Sequence, residues 1–198
     1  CWHLTTTTRR LTAQFVVDGS GVLGAPKLPD IPGIEDFQGT LFHSARWNHA
    51  ESLAGKRVAV IGTGASAIQI VPAIQPEVER LTVFQRTAGW VIPRNDRDVT
   101  AVERRILRRI PFLQKLIRGG QYVYRDAFLL QVMHRPAVRR FAEAVSKAYM
   151  RRTIDDPALR EKLTPDFEIG CKRILITSVW YPALNQPNVD VETSPITE

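Results

Sequence analysis

The chain has 198 residues, of which 44% are hydrophobic and 24% charged, and its formal net charge is +7. These are the proportions of a soluble globular protein long enough to bury a sizeable core, and no apolar run reaches the length of a membrane-spanning helix. The charge is uneven: residues 97–168 hold 16 Lys/Arg against 9 Asp/Glu, and the remainder is neutral, so the basic character belongs to one segment. Cys1 and Cys171 form no C-x-x-C pair. They read as reduced thiols, with neither a disulfide framework nor a metal site expected, as in a cytoplasmic protein.

Residues 2–17 read as a pair of β segments. Leu4 to Thr8 is Thr-rich, Arg9-Arg10 turns, and Leu11 to Val17 alternates before becoming apolar. The first residue is Cys1, and these strands read as already inside a sheet, so the chain is expected to be part of a longer one. Asp18-Gly19-Ser20-Gly21 forms a Gly-rich loop. Ala25 to Gly33 carries Pro26, Pro29 and Pro32, which excludes helix and predicts an extended, stiff linker. Phe37 to Asn48 is too apolar for a disordered linker and too irregular for one regular element.

Lys56-Arg57 then leads into Val58-Ala59-Val60-Ile61, a β-branched block typical of a buried strand. Gly62-Thr63-Gly64-Ala65-Ser66-Ala67 follows at once, and Ile68-Gln69-Ile70-Val71 continues in helical spacing, with Pro72 near the helix end and Pro76 as its stop. Leu81-Thr82-Val83-Phe84 supplies a second strand, ending in Gln85-Arg86-Thr87. Strand, Gly-rich turn, helix and strand is half of a dinucleotide-binding fold, the context that lifts a G-x-G-x-x-A match above chance.

Each position has a physical task. Gly62 permits the tight turn, Gly64 lets backbone N–H groups approach a pyrophosphate, and Ala67 allows helix and strand to pack closely. The phosphates then sit at the positive end of the helix dipole, contacted across Thr63 to Gln69. An NAD-selective fold carries an acid at the end of the second strand. Arg86 stands there instead, beside Thr87, which favours a 2′-phosphate and hence NADPH over NADH.

After a polar turn at Asn95-Asp96-Arg97-Asp98, residues 99–165 are predicted helical. Val102, Ile106, Ile110, Leu113 and Ile117 recur at helical spacing among Arg104, Arg105, Arg108 and Arg109. Pro111 interrupts the first helix, and Gly119-Gly120 separates it from a helix over Gln121–Val132. A further helix runs from Pro136 to Arg152, and Asp155-Asp156-Pro157 opens a short one ending near Leu163. A solvated insertion over the sheet is the preferred reading of this basic block. Peripheral membrane contact through the Arg-rich segment is a second. Nucleic-acid binding is not expected, because no binding motif accompanies the charge.

The pattern Phe37-x-Gly39-x-x-x-His43-x-x-x-Trp47, a few residues before the G-x-G-x-x-A turn, resembles the fingerprint of Baeyer–Villiger monooxygenases. Asn48 stands where such proteins mostly have Pro or Asp, and Gly19-Ser20-Gly21 where they usually read Ala-Thr-Gly. Gly170-Cys171-Lys172-Arg173, followed by Trp180-Tyr181 and Asn185-Gln186-Pro187-Asn188-Val189, resembles a second segment of the same family. The resemblance implies an FAD- and NADPH-dependent enzyme that inserts one oxygen of O2 next to a ketone carbonyl, through a C4a-peroxyflavin, to give an ester or lactone. By that match Arg173 corresponds to the active-site arginine and Lys172 to a lysine holding the NADP 2′-phosphate. His43 belongs to a linker implied to couple domain movements. N- or S-oxygenating flavin-containing monooxygenases, and a non-catalytic NADP-binding or membrane-associated module, remain as alternatives.

The resulting fold class is α/β, a Rossmann-like NADP-binding domain with a parallel sheet, flanking helices and a helical insertion, preceded by the tail of an FAD-binding domain. Residues 1–33 form that tail and its linker, and 34–98 the fingerprint and the NADP-binding unit. Residues 99–165 form the insertion, and 166–198 return to the NADP-binding domain. Most of the FAD site is expected outside the chain, leaving these residues alone inactive. The partners implied are a small carbonyl substrate and O2.

Overall fold

The computed structural model describes residues 1–19, 21, 25–94 and 96–197. It divides into two compact units, one of residues 1–51 with the C-terminal tail from Ile196, the other spanning Ser52–Pro195. Ser20 of the Gly-rich loop and Asn95 of the polar turn lie outside the described residues.

In the first unit β1 (Trp2–Thr5) pairs antiparallel with β2 (Arg10–Ala13), Trp2 opposite Ala13. The turn is not at Arg9-Arg10 as expected. It closes over Thr7-Thr8, because the Thr6 hydroxyl accepts from the Arg9 N–H at 3.0 Å and Thr6 N donates to Arg9 O, a local side-chain turn that leaves Arg10 free to extend. The second strand also stops at Ala13, short of Val17, and Phe15 and Val17 stand exposed. Residues 26–31 form neither helix nor strand, in keeping with their prolines.

The second unit is built on β3 (Arg57–Ile61), α1 (Ala67–Ile74) and β4 (Arg80–Phe84). Strands β3 and β4 run parallel, Val58 opposite Leu81 and Ile61 opposite Phe84. Helix α1 carries Pro72 inside, is capped by Gln75 and ends before Pro76. After β4 come the short β5 (Val91–Ile92), α2 (Ala101–Arg109), α3 (Pro111–His134), α4 (Pro136–Thr153) and α5 (Pro157–Lys162). The chain returns through β6 (Leu175–Ile176), parallel to β5, then α6 (Trp180–Leu184) and β7 (Val189–Glu192), parallel to β4. The main sheet thus has the order β3-β4-β7.

Burial alternates along it. Leu81, Val83 and Val191 are buried on one face, where α1 packs on α6 and α6 on β7. Strand β3 is not the buried strand its apolar run predicts: Val58 and Val60 are half-buried, while Ala59 and Ile61 are exposed. Among the described residues β3 pairs only with β4, and the face that carries Ala59 and Ile61 is left open.

One further expectation fails in the insertion. Gly119-Gly120 breaks nothing, since α3 runs unbroken through both. Its other residues carry the helix past the weak propensity of two glycines. Val102 and Ile106 fall in α2 and Leu113 and Ile117 in α3, as their helical spacing predicts, and α2 buries no residue. What fixes the start of α2 is a capping box: the Thr100 hydroxyl accepts from Glu103 N, and the Glu103 carboxylate accepts from Thr100 N at 2.9 Å. Arg97, bonded to the same carboxylate, holds Glu103 well below the usual range, at about 2. The starts and ends of α4 and α5 fall where the prolines and Asp156 put them, and Asp156 caps α5 by accepting from Ala158 N at 2.9 Å.

Candidate functional site

A nucleotide site on a parallel sheet belongs at the carboxyl ends of its strands, and the candidate residues gather there. Gly62, at φ 106, turns the chain out of β3 in a conformation that side chains avoid. Its N–H donates to Phe84 O at 2.9 Å, stitching the turn to the end of β4. The Thr63 hydroxyl donates to the Thr87 carbonyl at 3.2 Å, a second stitch. Gly64, Ala65, Ser66 and Gln69 lie exposed, whereas Ala67 is buried against the sheet as the third position of the motif requires. The Gln69 side chain donates to Ala65 O at 2.7 Å and ties the turn to α1.

The start of α1 suits a phosphate. Ser66 makes no side-chain cap hydrogen bond, and no acidic residue lies in the first turn, so the positive helix end is uncompensated. A Cβ built on Gly64 would meet no atom within 4 Å. The chain itself therefore does not require glycine at that position, and the space over the backbone is open to a ligand.

At the end of β4 the side chains part. Gln85 is buried, and its amide donates to Lys162 O at 2.6 Å, at the end of α5. Arg86 is exposed and makes no hydrogen bond or ion pair among the described residues, leaving its guanidinium open to an anion. Glu192, at the end of β7, is engaged elsewhere: it accepts from Ser194 N at 2.7 Å, a bond that lowers its pKa.

The structure thus brings together Gly62, Thr63, Gly64, Ala65, Ser66, Ala67, Gln69, Arg86 and Thr87. Lys172 and Arg173 sit apart from this group, in the turn that leads into β6, and no hydrogen bond among the described residues joins them to it. Both are exposed. The Lys172 ammonium lies over the Phe167 ring, 4.5 Å from its centroid, and Arg173 has no hydrogen-bond or ion-pair partner among the described residues.

Sequence reasoning singled out Arg86 and Thr87 but missed that the stretch from Gln85 to Trp90 joins these parts. Gln85 holds α5, Thr87 receives Thr63, and the Trp90 indole N–H donates to Phe167 O at 2.7 Å. Gly89 lets Leu175 come close, since a Cβ there would stand 2.9 Å from its side chain. Leu175 N then donates to Trp90 O at 2.8 Å. These partners are far apart in sequence, so no local pattern announces them. Only the buried aromatic Trp90, directly after a glycine, was available as a signal.

In the fingerprint segment of the first unit, Phe37 packs over Gly39. A Cβ on Gly39 would lie 2.5 Å from the ring, which explains why those two residues occur together. His43 Nδ1 accepts from Ala45 N at 3.0 Å and caps a short 3₁₀ turn, while Phe42 and Trp47 meet edge to face at 5.0 Å. These are roles in shaping the segment.

No helix among the described residues is long and apolar enough to cross a membrane.

Residues 2–136 match the flavin-binding monooxygenase-like family. The chain is 53% identical, over 197 residues, to a Baeyer–Villiger monooxygenase of Streptomyces coelicolor, covering 100% of this chain and 38% of that protein. Among solved structures it is similar to cyclohexanone monooxygenase from Rhodococcus sp. Phi1 bound to NADP+, with a TM-score of 0.77 and 27% identity, covering 96% of this chain and 42% of the other. It is also similar to OTEMO in complex with FAD and NADP, with a TM-score of 0.76 and 28% identity over 96% of this chain and 43% of the other. The chain therefore spans well under half the length of the proteins it matches.

Proposed function

Because the chain belongs to the flavin-binding monooxygenase-like family, we propose that it is the NADPH-binding portion of an FAD-dependent monooxygenase of Baeyer–Villiger type. The observation that carries this reading is the open turn at Gly64 beside a partner-free Arg86 at the end of the parallel strands. A relative at 53% identity that bears the Baeyer–Villiger name supports the reaction class. On this reading residues 1–33 are the tail of an FAD-binding domain with its linker, and 34–98 are the fingerprint and the nucleotide unit. Residues 99–165 are an insertion, and 166–198 complete the nucleotide-binding domain.

On this reading the geometry supports the roles of the turn and of Arg86, and the family resemblance supplies those of Lys172 and Arg173. Backbone N–H groups from Thr63 to Ala67 receive the pyrophosphate at the start of α1, and Gln69 steadies that turn through Ala65. Arg86, with Thr87 beside it, takes the 2′-phosphate, and Lys172 supplies a second cation. FAD, when bound, supplies the activation of O2 and the transfer of one oxygen atom to a ketone, giving an ester or lactone. Arg173 carries a permanent charge that no carboxylate among the described residues neutralises. Its role is to stabilise the negative charge that gathers on the carbonyl oxygen of the substrate as the carbonyl carbon becomes tetrahedral. Lysine is a weaker choice there, because its pKa falls on burial.

The test is product analysis of the full-length, flavin-loaded protein with NADPH under 18O2, offered a cyclic ketone and a thioether. A lactone carrying one labelled oxygen is expected. Sulfoxide without lactone would refute the assignment in favour of heteroatom oxygenation.

A further inference from the structure

We propose that Phe167 is a positioning residue for Lys172. Its ring holds the lysine ammonium where a 2′-phosphate meets it, so that selectivity for the phosphorylated nucleotide depends on Phe167 through Lys172. The inference rests on the NADPH reading above and adds to it a residue that makes no contact of its own with the phosphate.

An exposed lysine on a turn is a disordered point charge, and ordering it when a ligand arrives costs conformational entropy. Lys172 is exposed, yet its ammonium lies 4.5 Å from the centre of the Phe167 ring, within the range of a cation–π attraction. A ring occupies only one side of an ammonium, so the remaining N–H groups point outward. Among the described residues no carboxylate competes for them. The arrangement is that of a cation ordered in advance and still able to donate.

The ring itself is anchored from several directions. Phe167 packs against the buried cluster of Trp90, Val132, Ala142 and Ile169. Its carbonyl accepts from the Trp90 indole at 2.7 Å. Ile169 N donates to the Glu143 carboxylate of α4 at 3.0 Å, and Glu168 pairs with Arg139 of the same helix. Gly170, at φ 101, then turns the chain in a conformation that side chains avoid. The chain at the start of β5 and two helices, α3 and α4, therefore hold the platform, and the lysine rests on it. This gives the helical insertion a task at the nucleotide site: α4 fixes the turn that presents Lys172.

The experiment titrates the full-length, flavin-loaded protein with NADP+ and with NAD+ by calorimetry, for wild type, F167L, F167W, K172Q and the F167L/K172Q double variant. F167L is expected to weaken NADP+ about two- to fivefold, the worth of an exposed cation–π contact, and to leave NAD+ unchanged. F167W, with the stronger ring, holds or tightens NADP+ selectively. In the K172Q background the F167L effect disappears, because the two residues act as one unit. Equal weakening of both nucleotides would reduce Phe167 to a packing role and overturn the proposal. So would a loss that persists without Lys172, tighter NADP+ binding in F167L, or selective weakening of NADP+ in F167W. A wild-type protein that binds both nucleotides equally would fail the NADPH reading itself. A wild-type preference untouched by F167L would fail only this inference.

Discussion

Replacing Arg86 with alanine is the sharpest probe of nucleotide choice. Arg86 follows the buried Gln85 at the end of β4, is exposed, and has no competing partner among the described residues. Nothing in the fold is lost when its guanidinium goes, so the whole effect falls on the ligand. A hydrogen bond to a charged group contributes about 1.5–3 kcal/mol net. Solvent screening at an exposed site brings that to about 1–2 kcal/mol. Arg86→Ala should therefore weaken NADPH about five- to thirtyfold and leave NADH within about twofold. The wild-type preference should also shrink as salt is raised, because a charge contact at the surface is screened. Arg86→Asp should go further and reverse the preference, since a carboxylate repels the 2′-phosphate and accepts from a ribose hydroxyl. Fluorescence titration with the two reduced nucleotides, at low and high ionic strength, measures all of this. Parallel losses for both, or none for either, would refute the assignment of the 2′-phosphate to this side chain.

Two substitutions separate what glycine does for the fold from what it does for a ligand. Gly64→Ala meets open space and no positive φ, so thermal unfolding should shift by no more than about 0.5 kcal/mol while dinucleotide affinity falls at least about tenfold. A large loss of stability with binding intact would mean the glycine serves the chain, not the phosphate. Gly119→Ala with Gly120→Ala also meets open space, inside α3, and should stabilise by about 0.5–1 kcal/mol per site. At this chain length that raises the melting temperature by about 2–8 °C in calorimetry. A lower melting temperature would show that another surface packs on that side of α3 in the whole protein.

How much of this could be read from the sequence depended on where each signal lay. The turn from Gly62 to Ala67 was legible because glycine, helix start and strand are adjacent, each with its own residue preference. The ends of α4 and α5 were legible for the same reason, through Pro136, Pro157 and Asp156. Composition could not say that one face of β3 is left open among the described residues, since a β-branched run reads the same whether one face is packed or two. Nor could it say that Gly119-Gly120 continues a helix, because glycine marks a break only when the flanking residues are weak. The anchoring of Lys172 was least legible of all. It depends on Trp90, Arg139 and Glu143, which meet residues 167–169 only after the chain has passed through the insertion.

That distance has a consequence for how the two cationic groups work together. Arg86 stands on the β3-β4-β7 sheet, whereas Lys172 and Arg173 precede β6 of the separate β5-β6 pair. The stretch from Gln85 to Trp90 is bonded to both. Its Thr87 carbonyl accepts from Thr63 of the turn from Gly62 to Ala67, and its Trp90 indole donates to Phe167, whose ring lies under Lys172. Gln85 donates to Lys162 at the end of α5. On the proposed reading, a dinucleotide that gripped both the turn and the lysine would hold this stretch still. The loss from cutting one link, such as the Trp90 indole bond, should then appear mainly for the nucleotide that uses both grips.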